Sequence, residues 1–421
     1  MTLGNFGLRI DFQRQLTVFS YCLRVSKSWS KLLESMPNLW MDLDFSKAKR
    51  PLTLNTIRKY IKRGQGLATR ATLPSFGSSA EGMPSYITKR CKNLEELSIL
   101  KGVAGETILF ASSYATNLKS LIMGRQCEVT MDCVHQLLYN CENLERAEFH
   151  YIIRAHAESW SLDMPKLQSL ILNTSEVMKA PSAIIDVGAL AQRIPNIRSL
   201  VLRWWATRDL PPHAQTQPIP DFSTLEKLET LDITGLRTEQ IIRFPSNLCK
   251  LNLSRVAGSH AVVEEGQFKR LTWLSVEDSF CMTNNNLKRM LHANKGNLEY
   301  FNARYALSDG NYIVDLITAP YFTNTVEINF DYCDVSDAHG VVLCRYATNL
   351  KRATFQATRI SGAGIGAMLR GTYGPCKLEY LCLNCCSNCS GDVVERARKM
   401  GIKTDYKFPV EQLKGRKIRG A

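Results

Sequence analysis

The densest chemistry in the 421-residue sequence is a run of four thiols, CLNCCSNC, from Cys382 to Cys389. Four thiolates can close a tetrahedral zinc site, provided that all four side chains converge on one point. A second candidate, GAGIGA (Gly362–Ala367), looks superficially like a glycine-rich loop whose backbone N–H groups cradle phosphate at a helix start. The seven histidines stand without ligand spacing, and no Ser/His/Asp or Cys/His constellation stands out. Recognition is the third possibility. Trp273, Glu277, Tyr300, Arg304, Asp331, Arg352, Gln356 and Tyr380 recur through the second half of the chain. Aromatic and arginine side chains gathered on a rigid surface carry most of the energy at protein interfaces.

Which of these can work depends on the elements that hold them. The string L-x-x-L-x-L, with conservative replacements, recurs from WMDLDF (Trp40–Phe45) to LEYLCL (Leu378–Leu383). Clear copies are LEELSI at Leu94, LQSLIL at Leu167, LETLDI at Leu228 and LTWLSV at Leu271; TVEINF at Thr325 is degenerate. Fourteen units follow one another at about 26 residues each, a period that marks a stacked repeat array.

The spacing dictates geometry. In LEELSI, Leu97 and Ile99 leave a strand on one side, and Glu96, Ser98 and Leu100 on the other. Helix-like stretches follow many strands, including Thr130–Cys141 and Thr283–Asn294, with Thr130 and Thr283 placed as N-caps. One strand and one helix per turn give an α/β solenoid: a horseshoe with a parallel sheet on the concave face and helices on the convex face. No turn can bury its own apolar side, so stability is cooperative between neighbours.

This pattern resembles the leucine-rich repeat in its cysteine-containing form, with Cys91, Cys141 and Cys376 near helix ends. The register argues against zinc. Leu381 and Leu383 face the core, Cys382 faces away, and Cys386 falls where such repeats use Asn or Cys to bond the turn. GAGIGA sits inside a repeat, outside any dinucleotide-binding context. No metal, cofactor or catalytic residue is expected. The alternation places Trp273, Glu277, Tyr300, Arg304, Asp331, Arg352, Gln356 and Tyr380 on the concave side as a face for a protein substrate. Ser120, Ile122, Ser169, Ile171 and Asn173 make the earlier strands bland.

Composition bounds the partners. With 45% apolar and 22% charged residues the chain reads as folded and soluble. No run of eighteen apolar residues calls for a membrane span, and MTLGNFGLRIDFQ lacks a secretory layout. Fourteen dispersed cysteines fit a reducing compartment, the nucleus or cytoplasm. The net charge of +14 is mostly scattered, so nucleic-acid contact is expected to be non-specific at most. The cluster Leu413–Arg419 would serve as a basic tail or an import signal.

Ahead of the repeats stands LRVSKSWSKLLESMPNLW (Leu23–Trp40). It has the pattern of short amphipathic helices too small to fold alone. The run resembles the C-terminal half of an F-box, and VSKSW…LW-DLDFS-A-RP is similar to fungal F-box/leucine-rich-repeat proteins. That resemblance implies docking on a Skp-type adaptor, and through it on a cullin–RING ubiquitin ligase, while the repeats hold the target. Leu23, Val25, Trp29, Leu32, Leu39 and Trp40 would be adaptor-binding or F-box core positions. The Leu-Pro opening of the family's first helix has no counterpart here. Residues 1–14 are therefore unassigned, as a divergent helix or a gene-model artefact. The remainder divides into a partial F-box (15–39), the repeat array (40–390), a C-terminal cap (391–408) and a basic tail (409–421). The expected protein is a non-catalytic substrate receptor, monomeric within a hetero-complex. The alternatives are a repeat scaffold without ligase connection and a chromatin or nucleic-acid binder.

Overall fold

The computed structural model describes residues 26–46, 48, 52–75, 82–101, 105–154, 163–174, 192–203, 222–236, 241–257, 263–264, 267–279, 281–307, 313, 316–317, 320–371 and 376–407. Leu23, Val25, the proline-rich stretch Pro211–Pro220 and the tail 409–421 lie outside these, as does the side chain of Trp29. The chain divides into two compact units, residues 1–185 with 192–197 and residues 186–191 with 198–421.

The first unit begins with helix α1 (Lys27–Glu34) and a 3-10 turn over Pro37–Trp40. Strands β1 (Asp42–Asp44), β2 (Arg70–Ser75), β3 (Glu96–Lys101), β4 (Ser120–Gln126), β6 (Arg146–Arg154) and β7 (Ser169–Thr174) lie side by side in parallel, and β5 (Val129–Thr130) pairs with β6. Helices α2 (Leu54–Arg63), α3 (Met83–Arg90), α4 (Gly105–Ser112) and α5 (Met131–Asn140) form the connections. Thr130 caps α5 by accepting from the Cys133 N–H at 3.3 Å.

The second unit carries β8 (Ser199–Arg203), β9 (Thr230–Asp232), β10 (Lys250–Asn252), β11 (Trp273–Ser275), β12 (Tyr300–Asn302), β13 (Glu327–Asn329), β14 (Arg352–Thr354), β15 (Tyr380–Cys382) and β16 (Lys403–Asp405), again parallel and in sequence order. Its helices include α6 (Asn284–Asn294), α7 (Asp337–Tyr346), α8 (Gly362–Arg370) and α9 (Gly391–Lys399). Thr283 caps α6, accepting from Asn286 N–H at 3.2 Å.

Each of the fourteen sequence units supplies one strand, which starts two residues after the unit's first position. The stack is in strict register. Leu231, Leu251, Leu274, Phe301, Ile328, Ala353 and Leu381 pair in one row, and all are fully buried. Burying one such large apolar side chain is worth about 1.5–3 kcal/mol, and each shields its neighbours in the row. The degenerate unit at Thr325 keeps the row dry by another route: its buried hydroxyl donates to the Leu298 carbonyl at 2.7 Å.

Two further devices tie turn to turn. An asparagine just ahead of the unit's first leucine reaches a carbonyl one turn back, as from Asn143 to Thr116 (2.7 Å), Asn297 to Lys269 (3.1 Å) and Asn349 to Thr323 (3.1 Å). In the second unit, the fifth residue past the strand start is left-handed in seven successive turns: Gly235, Arg255, Asp278, Tyr305, Tyr332, Ala357 and Cys385. That turn of the backbone aims its N–H at the next turn's carbonyl, for example Tyr305 to Asp331 (3.1 Å) and Tyr332 to Gln356 (2.8 Å). A non-glycine residue there costs about 1–2 kcal/mol, which the extended ladder must offset.

One helix per turn is not what the middle of the chain does. On either side of β10, between β9 and β11, the described residues form turns and isolated bridges and no helix. The unit from Leu228 to Leu248 is among the shortest, and a strand with two turns leaves too little chain for three helical turns. At the C-terminal end, α9 leads into β16, which pairs with β15, and its exposed Lys403 and Asp405 are charges of the kind that blunt a strand edge.

Candidate protein-interaction face

Alternation along each strand sends one side chain in two away from the helices, and neighbouring strands repeat at about 4.8 Å. Trp273 on β11 and Tyr300 on β12 are paired in register. Their rings are 4.7 Å apart and within 2° of parallel, so the sheet spacing itself sets an aromatic stack. Both rings are half-buried, with their free surface on the helix-free side. Burial, then the carboxylates of Glu327 and Glu277, push the Tyr300 hydroxyl above the ordinary tyrosine range.

A second stack stands at the strands' C-terminal ends, where left-handed Tyr305 and Tyr332 lie 4.2 Å apart at 16°. The Arg304 guanidinium sits over both, 5.2 and 5.4 Å from the ring centroids, with Glu277 at 3.6 Å. Arg352 lies 4.4 Å over Tyr380 and 3.3 Å from Glu327. Planar cations over aromatic faces are favourable by about 0.5–1 kcal/mol at exposed sites.

Beneath the rings runs a polar floor. Asp232 holds Arg203 at 2.8 and 2.9 Å and accepts from Asn252 at 3.1 Å. Asn252 accepts from Ser254 (2.6 Å), Ser254 meets Ser275 (2.9 Å), and Asn302 donates to Ser275 and Glu277, both at 3.1 Å. This chain of bonds crosses β8 to β12 and fixes the side chains on which the aromatic stack stands.

The structure brings Trp273, Glu277, Tyr300, Arg304, Arg352, Gln356 and Tyr380 to one side as expected from alternation, and it corrects their neighbour Asp331. Asp331 is buried, and its Oδ1 already accepts from the Gln356 N–H at 2.7 Å. Burial raises its carboxyl despite that bond, so it belongs to the floor rather than to the contact surface. Gln356 donates its side chain to the Tyr332 hydroxyl at 2.9 Å, and Tyr380 donates to Asp405 at 2.6 Å. Both are half-buried, so they brace the face and still present surface on it. Arg203, Asp232, Asn252, Tyr305 and Tyr332 were missed by the sequence reading. A listing of every strand's alternate positions would have found the first three, but no alternation rule reaches the tyrosines after the strand.

The first unit is not bland either. Glu148, almost fully buried on β6, is paired with Arg146 and lies 2.9 Å from the His150 ring, which meets Asn173 at 3.3 Å. The His150 hydrogen bond, aided by Arg146, holds the Glu148 carboxyl below its ordinary value against the effect of burial.

At the N-terminal end, Trp40 is fully buried beside Tyr60, their ring centroids 5.6 Å apart, so it is core of the first turn rather than an adaptor contact. Leu39 is half-buried, whereas Leu32 and the nearby Met36 are 49% and 43% exposed. The cysteine run resolves as the register implied: Cys386 donates to the Phe355 carbonyl (2.9 Å) and Cys389 to that of Ile360 (3.4 Å). Cys382 points to the opposite side of its strand and is also covered. In GAGIGA, the amides at the start of α8 are taken by Asp337, which accepts from Ser361 N–H (2.7 Å) and Gly364 N–H (3.1 Å).

No family model matches the chain, and no curated protein matches it. Among solved structures it is similar to the leucine-rich-repeat protein LIC12759 of Leptospira interrogans, at 13% identity over 89% of this chain and 98% of that one, with a TM-score of 0.43. It is similar to a chain of the yeast Rad7–Elc1 complex at 14% identity over 95% and 98%, with a TM-score of 0.48. The APL1 leucine-rich-repeat domain is similar at 12% over 87% and 81%, with a TM-score of 0.33. The leucine-rich-repeat fold of this chain stands on its own geometry, the in-register strands and buried leucine rows described above.

Proposed function

We propose that the chain is the substrate-recognition subunit of an SCF-type E3 ubiquitin ligase, working without catalytic residues of its own in the nucleus or cytoplasm. The observation that carries this reading is the contrast within the N-terminal segment. Trp40 anchors it to the first repeat, while Leu32 and Met36 turn large apolar side chains to solvent. Exposed apolar side chains beside a buried anchor fit a docking surface better than a simple cap. The Trp273–Tyr300 face then supplies the other half of the function, a rigid surface for a target protein. Holding both ends raises the effective concentration of target at the ligase, which is all the mechanism requires.

Co-purification with a Skp-type adaptor tests the reading, using this chain beside a version extended upstream to complete the F-box. The expected result is a stable complex that Leu32→Asp with Met36→Asp abolishes without unfolding the repeats. Absence of a complex with both versions would leave a repeat scaffold unconnected to ubiquitin.

A further inference from the structure

Across the N-terminal ends of β11 to β15, on the rim away from the tyrosine stack, the second unit has an open groove of about 670 Å³. Four cations line it, Lys269, Arg270, Lys351 and Lys377, against one carboxylate, Glu299. Two of the four are partly satisfied: Lys351 by Glu379 at 2.7 Å and Lys377 by Asn349 Oδ1 at 2.8 Å. Lys269 and Arg270 have no side-chain partner among the described residues. Adjacent like charges repel, and no described ion pair engages these two, Glu299 being the one carboxylate in the lining.

The floor is built for hydrogen bonding and held in place. Asn297 and Asn349 are anchored by their amide nitrogens to main-chain carbonyls one turn back, and Asn324 and Thr272 join them in the lining. Val326 is the one apolar side chain in the lining, and no aromatic ring is among it. Single-stranded nucleic acid is gripped by stacking its bases on aromatic side chains, so this groove lacks half of what that ligand needs. An extended polypeptide needs only main-chain hydrogen bonds and charge complementarity. Four strand spacings span about 19 Å, roughly six residues of extended chain.

We propose that this groove binds an extended, acidic polypeptide segment, its anionic side chains paired with Lys269 and Arg270 and its main chain bonded to the asparagine row. The inference does not depend on adaptor docking. Thr272 and Glu299 of the groove directly precede Trp273 and Tyr300, so one partner can occupy the groove and the aromatic face together.

Fluorescence anisotropy on the full purified chain tests this with labelled twelve-residue probes: a glutamate-rich peptide, a phosphoserine peptide of equal length, a neutral peptide and a single-stranded oligonucleotide. Lys269→Glu with Arg270→Glu is compared with Lys59→Glu with Lys62→Glu, an identical charge change on exposed positions of α2. The expected result is binding of an anionic peptide that the groove variant weakens by roughly tenfold or more while the α2 variant leaves it largely unchanged. Preference between the first two probes identifies carboxylate or phosphate as the anion. Equal weakening by both variants would reduce the effect to overall charge and overturn the site. So would absence of peptide binding, or tighter, groove-dependent binding of the oligonucleotide. Adaptor co-purification by the groove variant is read separately, so this inference and the ligase reading fail independently.

Discussion

Trp273 and Tyr300 show how a single residue type gains meaning from its neighbour. Each alone is a half-exposed aromatic side chain; in register, 4.7 Å apart, they form a rigid shelf whose ordering cost is met on folding. Trp273→Ala with Tyr300→Ala is expected to abolish target capture while thermal unfolding shifts little, because both side chains sit outside the buried leucine rows. Adaptor binding should be untouched. Normal turnover of the target in cells carrying the double variant would remove the face from the mechanism. The pair was legible in the sequence because both residues hold strand positions whose parity follows from the leucines. The Tyr305–Tyr332 stack was not, because it rests on a left-handed turn that no pattern of apolar residues reports.

At the scale of elements, the α7–α8 pair depends on one carboxylate. Asp337, in the first turn of α7, accepts from Ser361 N–H, Ser361 Oγ (2.6 Å) and Gly364 N–H at the start of α8. The helices meet closely enough that a Cβ on Gly364 would fall 2.5 Å from Asp337 Oδ1. What looked like a phosphate loop is a helix start whose anion comes from its own chain. Asp337→Ala is expected to cost about 2 kcal/mol in denaturant unfolding at neutral pH. Burial alone would raise this carboxyl, but the bonds from Ser361 and Gly364 outweigh it and hold it below its ordinary value of 3.8. A depressed folded value means the stabilisation is complete above 3.8 and is lost as pH falls through the lower folded value. The gap between wild type and variant should therefore close in strongly acidic buffer. A gap that persists there would show that the aspartate acts by packing alone.

At the scale of the whole molecule, five of the described thiols, spread through the stack, behave as small apolar side chains, whereas the hydrogen bond with Cys389 lowers Cys386 to about 7. Burial pushes Cys91, Cys281 and Cys333 up to about 11, and Cys141 and Cys344 up to about 12. At pH 7 a thiol near 11 is ionised in only about one molecule in 10⁴, and the thiolate is the reactive form. Iodoacetamide at neutral pH should leave these five cysteines unmodified in the native protein and label them in denaturant, as mass spectrometry of the peptides would record. Rapid native labelling would mean that the turns open locally far more often than their buried rows imply.

The sequence by itself determined the repeat, the strand in each unit, the parity of the side chains on it and the threonine caps of α5 and α6. All of these are local consequences of leucine spacing and side-chain alternation, repeated until chance is excluded. Tertiary structure decided what those positions do. It took Asp331 out of the contact surface, made Trp40 a core residue, gathered Lys269, Arg270 and Lys377 along one rim, and filled the α8 start with Asp337. The partners of Asp331, Lys377 and the α8 start come from a neighbouring turn, more than twenty residues away in the chain. Burial and pairing at that distance are set by stacking, which leaves no mark in the local pattern of residues.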